Sequence, residues 1–244
     1  MDIVISSGHG KYVRGASGYI DEVDEARMVV DKVASYLTAL GVGVKTFHDD
    51  ESKSQSENLE AIVAYHNAQS RDLDVSIHFN AYEDTTKAMG CEVLYVTQSK
   101  AAAELSAALA EAGDFIDRGE KYRSDLFFLN NTEMPALLIE TCFVDSQEDA
   151  NLYQESFDEI CRAIAETLAG EKLGEAEPPP EEIVEEDNNR VNIRGRAEGD
   201  VKVVINGTTV FGGDRRCPNT VSLVITMTGD VVVSLNGEDF HNRE

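Results

Sequence analysis

The sequence predicts an α/β fold: a mixed, mostly parallel sheet with helices on both faces over residues 1–170, then a small C-terminal all-β module. Three observations carry that reading. Apolar, β-branched runs alternate with segments of helical periodicity, the pattern of layered α/β domains. An acidic, proline-rich stretch over 171–189 interrupts the alternation. Beyond it, β-branched runs separated by Asn-Gly and Gly-Gly turns take over.

The elements follow in order. Asp2–Ser6 is a short strand running into Ser-Gly-His-Gly. From about Val23, Ala26, Val30, Val33, Leu37 and Leu40 recur at helical spacing, and Gly41 stops the helix. Val42–Phe47 reads as a strand, and Leu59, Ile62, Val63 and His66 mark a second helix. Asp74–Phe79 and Cys91–Val96 are further strands, with an alanine- and leucine-rich helix over Ala101–Ala112. Asp125–Leu129 is expected as a short strand and Ala136–Glu140 as a buried one. Leu152, Phe157, Ile160, Ile164 and Leu168 share one face of a helix over Asp149–Leu168.

Glu-Ala-Glu-Pro-Pro-Pro-Glu-Glu-Ile-Val-Glu-Glu-Asp then joins a polyproline run to repeated like charge. Such a segment cannot bury enough apolar area to fold, so 171–189 is expected as a stiff, extended linker. Val191–Ile193, Val201–Ile205, Thr209–Phe211, Val221–Met227 and Val231–Leu235 supply the strands of the module expected over 190–244. A unit of roughly fifty to sixty residues has a marginal core of its own. Its strand edges leave the oligomeric state open.

A chain of 244 residues with a net charge of −25 is no nucleic-acid binder, because phosphate binding needs a basic footprint that it lacks. The same charge does little for anionic membranes, and no stretch is long enough to span a bilayer. Residues 1–170 hold 13 basic and 31 acidic side chains, whereas 187–244 hold 7 and 8. The near-neutral module is thus the part better able to approach an anionic polymer. Cys91, Cys142, Cys161 and Cys217 lack Cys-x-x-Cys spacing and read as buried free thiols. The chain opens on a strand without a signal-peptide pattern, so the expected product is soluble and cytoplasmic, and needs help to act outside.

Chemistry concentrates at strand ends, where open α/β sheets assemble their sites. His9 and His78 each end an apolar run, and Glu140 ends Pro-Ala-Leu-Leu-Ile. With a carboxylate from the cluster Asp21–Glu25, the two histidines make a two-His, one-carboxylate set that leaves a zinc ion one position for water. Glu140 would then be the base for amide hydrolysis. Taken singly, each of these residues has a structural explanation. His48 beside Asp49-Asp50, His66 on a helix face and His241 near the end of the sequence are expected to be structural or solvated.

Residues 1–170 resemble the zinc-dependent N-acetylmuramoyl-L-alanine amidases of the amidase-3 type, found in bacterial autolysins and phage endolysins. The resemblance rests on Ser-Gly-His-Gly at 7–10, Gly-Tyr-Ile-Asp-Glu leading into a helix, Ser-Ile-His-Phe-Asn-Ala at 76–81 and Pro-Ala-Leu-Leu-Ile-Glu-Thr-Cys-Phe-Val-Asp at 135–145. It implies that His9, Glu22 and His78 bind Zn2+ and that Glu140 is catalytic. Glu22 is preferred to Glu25 because the family's ligand opens the first helix, with an apolar residue fifteen positions on and a glycine nineteen on, matched by Leu37 and Gly41. Asn80 and Arg118 are implied to contact substrate. Departures are Ser-Ser before the first Gly-His, Asp145-Ser146, and Cys142 where glycine is common. Without a His–Asn pair to activate it, Cys142 reads as packing.

The implied function is cleavage of the amide between N-acetylmuramic acid and L-alanine in peptidoglycan, by a lysin that a holin-type partner releases to the cell wall. The small module would bind the wall or serve assembly. Two alternatives stand beside it: another zinc peptidoglycan hydrolase, carboxypeptidase-like, or a non-enzymatic wall-binding or virion protein on an inactive amidase scaffold.

Overall fold

The computed structural model describes residues 1–174 in full and, from residue 190 on, only the backbone of strands. The linker expected over 171–189 and the side chains of the module expected over 190–244, Cys217 and His241 included, lie almost wholly outside the described residues. Residues Met1–Ala176 form one compact unit.

In that unit β1 (Asp2–Ser7), β2 (Gly43–Phe47), β3 (Leu73–Asn80), β4 (Cys91–Tyr95), β5 (Asp117–Tyr122) and β6 (Ala136–Phe143) form one six-stranded sheet in the order β2-β1-β3-β6-β4-β5. All neighbours pair in parallel except β4 and β6, which are antiparallel. The expected mixed, mostly parallel sheet is therefore present. Six helices accompany it: α1 (Glu22–Ala39), α2 (Gln55–Asn67), α3 (Ser99–Gly113), α4 (Phe127–Asn131), α5 (Gln147–Glu155) and α6 (Phe157–Ala169).

Period-2 alternation divides the sheet between two cores. Ile3 and Ile5, Val75 and Ile77, Cys91 and Val93, and Leu137 and Ile139 face the larger core, where Val30 and Val33 of α1, Leu105 and Leu109 of α3 and Ile160 and Ile164 of α6 meet them. Leu94, Ala136 and Leu138 face the smaller one, closed by Ile62 and Val63 of α2 and by Phe128 and Leu129 of α4. Side chains two residues beyond these stay on the same face. His78, Glu140 and Glu92 therefore share the face of the smaller core, above the part that α2 and α4 cover.

Two expectations change. Asp125–Leu129 is not a strand; its apolar residues enter α4, which caps the smaller core through Phe128 and Leu129. A short apolar run has no periodicity to tell helix from strand. The strand of this region is instead β5, an exposed edge of sequence Asp-Arg-Gly-Glu-Lys-Tyr that carries no apolar alternation to betray it. The single helix expected over Asp149–Leu168 is broken at Ser156. The break lets Tyr153 bury against Phe79, with ring centroids 5.0 Å apart, while α6 packs along α1 and α3.

Candidate functional site

The first histidine is delivered by the end of β1. The Gly8 N–H donates to the Ile77 carbonyl at 2.8 Å, pinning the turn to β3. A Cβ at Gly8 would lie 1.8 Å from His78 Nε2, so only glycine lets the two histidine segments approach this closely. His9 and His78 meet edge to face, their ring centroids 5.0 Å apart.

The carboxylate comes from the first residue of α1. Asp21 caps that helix, its carboxylate accepting from the Val23 and Asp24 N–H groups. Glu22 thus sits in the first turn, where the helix dipole favours negative charge. Its Oε2 accepts from the Ala16 N–H at 2.7 Å and its Oε1 from the Phe79 N–H at 3.2 Å. Gly15 lets the preceding loop fold over it: at φ +69°, a Cβ there would stand 2.3 Å from Glu22 Oε2.

Both histidines converge on one oxygen. His78 Nδ1 lies 3.0 Å and His9 Nε2 3.5 Å from Glu22 Oε1. Among the described residues His9, Glu22 and His78 form a group able to hold a metal ion, with ligand atoms all within 4.8 Å of one another. Donors about 2.0–2.1 Å from a tetrahedral zinc stand roughly 3.3 Å apart, so the two observed spacings fit such an ion. Glu25 is excluded from the group by its own engagement, accepting from the Tyr153 hydroxyl at 2.9 Å.

The charges suit a cation. Burial alone would raise the Glu22 carboxyl, but the hydrogen bond and charge of His78, with the charge of His9, outweigh it and hold it below its ordinary value. Burial, aided by the charge of His78, lowers His9 and so favours the neutral imidazole, the form able to bind a metal.

Glu140 sits beside this group, in register with His78 across the β3–β6 pair. Burial pushes its carboxyl up to about 7; the nearby charge of His78 opposes this, and those of Glu22 and Glu92 add to it. Its Oε2 is buried without a hydrogen-bond partner. A carboxylate kept in that condition costs stability, and groups tuned toward neutrality in this way are characteristic of proton-transfer sites.

Asn80 and Arg118 both reach the neighbourhood, and both hold Glu92. The Asn80 Nδ2 donates to Glu92 Oε1 at 3.1 Å, while its Oδ1 accepts from the Ala81 N–H at 2.9 Å. Arg118 donates through Nε to Glu92 Oε2 at 2.8 Å and stacks over the Phe143 ring at 4.9 Å. Glu92 is the residue the sequence reading missed. Its signal was a lone charge inside Cys-Glu-Val-Leu-Tyr, since a carboxylate in a buried strand is rare unless paired.

Elsewhere the same residue types do structural work. His66 lies between Asp74 (2.8 Å) and the Ser6 hydroxyl (3.0 Å), a Ser-His-Asp order, yet all three are fully buried and no substrate could reach them. Cys142 is fully buried and its thiol is pushed well above its ordinary value by burial, so it is no nucleophile. Cys91 and Cys161 are likewise buried and free. Among the described residues no helix is long and apolar enough to cross a membrane.

Comparison with known proteins gives consistent matches over this unit. The N-acetylmuramoyl-L-alanine amidase family matches residues 3–169. An uncharacterized Clostridium perfringens protein is 32% identical over 181 residues, covering 72% of this chain and 53% of its own. The endolysin of Bacillus phage SPP1 is 32% identical over 179 residues, covering 68% of this chain and 64% of its own. The chain thus spans about half the length of the first and under two thirds of the second. Among solved structures, the catalytic domain of an endolysin targeting Clostridia difficile superposes with a TM-score of 0.65 at 24% identity, covering 71% of this chain and 99% of that one.

Proposed function

Because the chain belongs to the N-acetylmuramoyl-L-alanine amidase family, we propose that it hydrolyses the amide between N-acetylmuramic acid and L-alanine in peptidoglycan, using zinc held by His9, Glu22 and His78. One observation carries the reading: two histidine nitrogens converge on one carboxylate oxygen beside a buried glutamate whose Oε2 has no partner. When bound, zinc would polarise the scissile carbonyl and make water acidic enough to attack near neutral pH.

The chain's own residues supply the rest. Glu22 fixes both imidazoles through its Oε1 and is itself tied to the Ala16 and Phe79 amides, so the donors are set before any ligand arrives. Glu140 takes the proton of the attacking water and returns it to the leaving L-alanine amine. Burial raises the Glu140 carboxyl in the metal-free chain, and a nearby zinc would pull it back toward the carboxylate that accepts the proton of water. Asn80 and Arg118 border the site through Glu92 and limit how substrate can approach. The endolysin relative supports a lysin that acts on the wall; its release by a holin-type partner is part of the proposal. The residues beyond 190 are assigned to wall binding on architecture alone.

Digestion of purified peptidoglycan tests the bond assignment. New N-terminal L-alanine with no new reducing sugar or D-amino-acid terminus is expected; any other new terminus would make this a different wall hydrolase. Glu140→Gln should retain stoichiometric zinc and lose lysis. Unchanged lysis would remove Glu140 from the chemistry, and lysis lost together with zinc would make it a ligand.

A further inference from the structure

We propose that Glu92 is a positioning residue for this hydrolysis: it holds the Arg118 guanidinium against Phe143 and so keeps it from ion-pairing with Glu140. The inference rests on the assignment of Glu140 as the proton-transfer group.

The β4–β6 register sets Glu92 directly opposite Glu140. Facing side chains of an antiparallel pair have Cβ atoms about 4.5–5.5 Å apart, and like charges there destabilise the sheet. The fold nevertheless retains two carboxylates at this spot and treats them oppositely. Both oxygens of Glu92 are engaged, by Asn80 and by Arg118. Glu140 Oε2 receives nothing.

Arg118 has the reach to change that. It is anchored on β5, yet its guanidinium already extends across β4 to lie over Phe143 of β6, three residues beyond Glu140. A planar guanidinium favours a bidentate carboxylate over almost any other partner. With Glu92 gone, the carboxylate that stands opposite it across the β4–β6 ladder, Glu140, has a buried oxygen free to receive the guanidinium. An Arg118–Glu140 pair would occupy the oxygens that must accept the proton of water. Arg123, the guanidinium whose charge bears on Glu140, is itself tethered by Asp125 at 2.8 and 2.9 Å.

The test is a double-mutant cycle on the full chain loaded with zinc, measuring kcat and KM on soluble muropeptide. Glu92→Ala should lower kcat by roughly tenfold or more, as loss of a residue that orients a reacting group does, with little change in KM. Glu92→Gln, which keeps the shape and one acceptor oxygen, should lose less. The deciding comparison is Glu92→Ala/Arg118→Ala against Arg118→Ala alone: kcat of the double variant should match that of Arg118→Ala and exceed that of Glu92→Ala, because the competing guanidinium is absent. A double variant no better than Glu92→Ala overturns the proposal, as does wild-type kcat in Glu92→Ala. Zinc content and thermal melts matched to wild type establish that the variants are folded; a rescue confined to stability would make Glu92 a structural partner of Arg118 and overturn the proposal. Glu140→Gln is run alongside. Activity there overturns both the proton-transfer assignment and this inference, whereas an inactive Glu140→Gln with no rescue overturns this inference alone.

Discussion

Glu140→Gln should make the metal-free protein more stable, by an amount that grows with pH. Burial, reinforced by the charges of Glu22 and Glu92, raises the folded-state Glu140 carboxyl to about 7 from an ordinary 4.5. Between those values the folded state holds a proton that the unfolded chain has released. Wild-type stability therefore falls as pH rises, by about 1.36 kcal/mol per pH unit across that window. The contribution of neutral Glu140 is fully present below 4.5 and is lost as pH passes through about 7, for a total of about 3 kcal/mol. Glutamine has nearly the same shape and does not titrate, so its own packing cost is the same at every pH. Urea unfolding in the presence of a chelator, at steps from pH 4.5 to 8, gives the difference between the two proteins. That difference should climb by about 3 kcal/mol and then level off. Curves that stay parallel to within about 0.5 kcal/mol would show that Glu140 ionises as freely as an exposed carboxylate and would refute the tuning.

Other outcomes follow from the same geometry. Gly8→Ala, whose Cβ would lie 1.8 Å from His78 Nε2, should weaken zinc about tenfold or more in a competition titration with a chromophoric chelator, and unchanged affinity would argue against His78 as a ligand. Asp21→Ala removes the cap of α1 and should cost about 1 kcal/mol, read as a fall of roughly 2–4 °C in the thermal midpoint. Chelation should abolish lysis and remove about 2.7 kcal/mol relative to zinc at a hundred times its Kd, and both should return with zinc. Acid should destabilise the fold through the His66–Asp74 pair. Burial holds His66 below its ordinary 6.5, and hydrogen bonds from His66 and Arg71 outweigh burial to hold Asp74 below 3.8. Each binds fewer protons folded than unfolded, so stability falls as pH drops below about 6.5; His66→Gln should flatten the upper part of that fall in urea titrations across pH 4–7.

Much of this was legible in the sequence, for identifiable reasons. The strands β1, β3 and β6 and the helix α1 announce themselves through apolar periodicity, and His9, His78 and Glu140 stand where that periodicity ends. Glu22 needed more, since Asp21, Asp24 and Glu25 are chemically equivalent on paper. Only the helix start distinguishes them: Asp21 turns back as the cap, Glu25 turns to Tyr153, and Glu22 is left facing the histidines. The edge strand β5 and the helix α4 were not legible. Asp-Arg-Gly-Glu-Lys-Tyr is a strand because β4 offers it a ladder, and Phe127–Asn131 is a helix because the smaller core needs a cap. Tertiary demand, rather than local propensity, decides both. Arg118 was singled out beside the site, but the role of Glu92 was invisible because it depends on which residue stands across the ladder.

His66 and His78 show what no residue type could reveal. Each pairs with a carboxylate, His66 of α2 with Asp74 of β3 and His78 of β3 with Glu22 at the start of α1. Asp74, Arg71, Ser6 and His66 spend their hydrogen bonds on one another and are sealed, with Phe128 packed edge-on to the imidazole at 5.0 Å. Around His78 and Glu140 the polar atoms are not all paired. There Glu140 Oε2 has no partner, and two histidine nitrogens share a single oxygen. The His66 cluster is paired throughout, whereas Glu140 keeps an unpaired oxygen beside the group able to hold a metal ion.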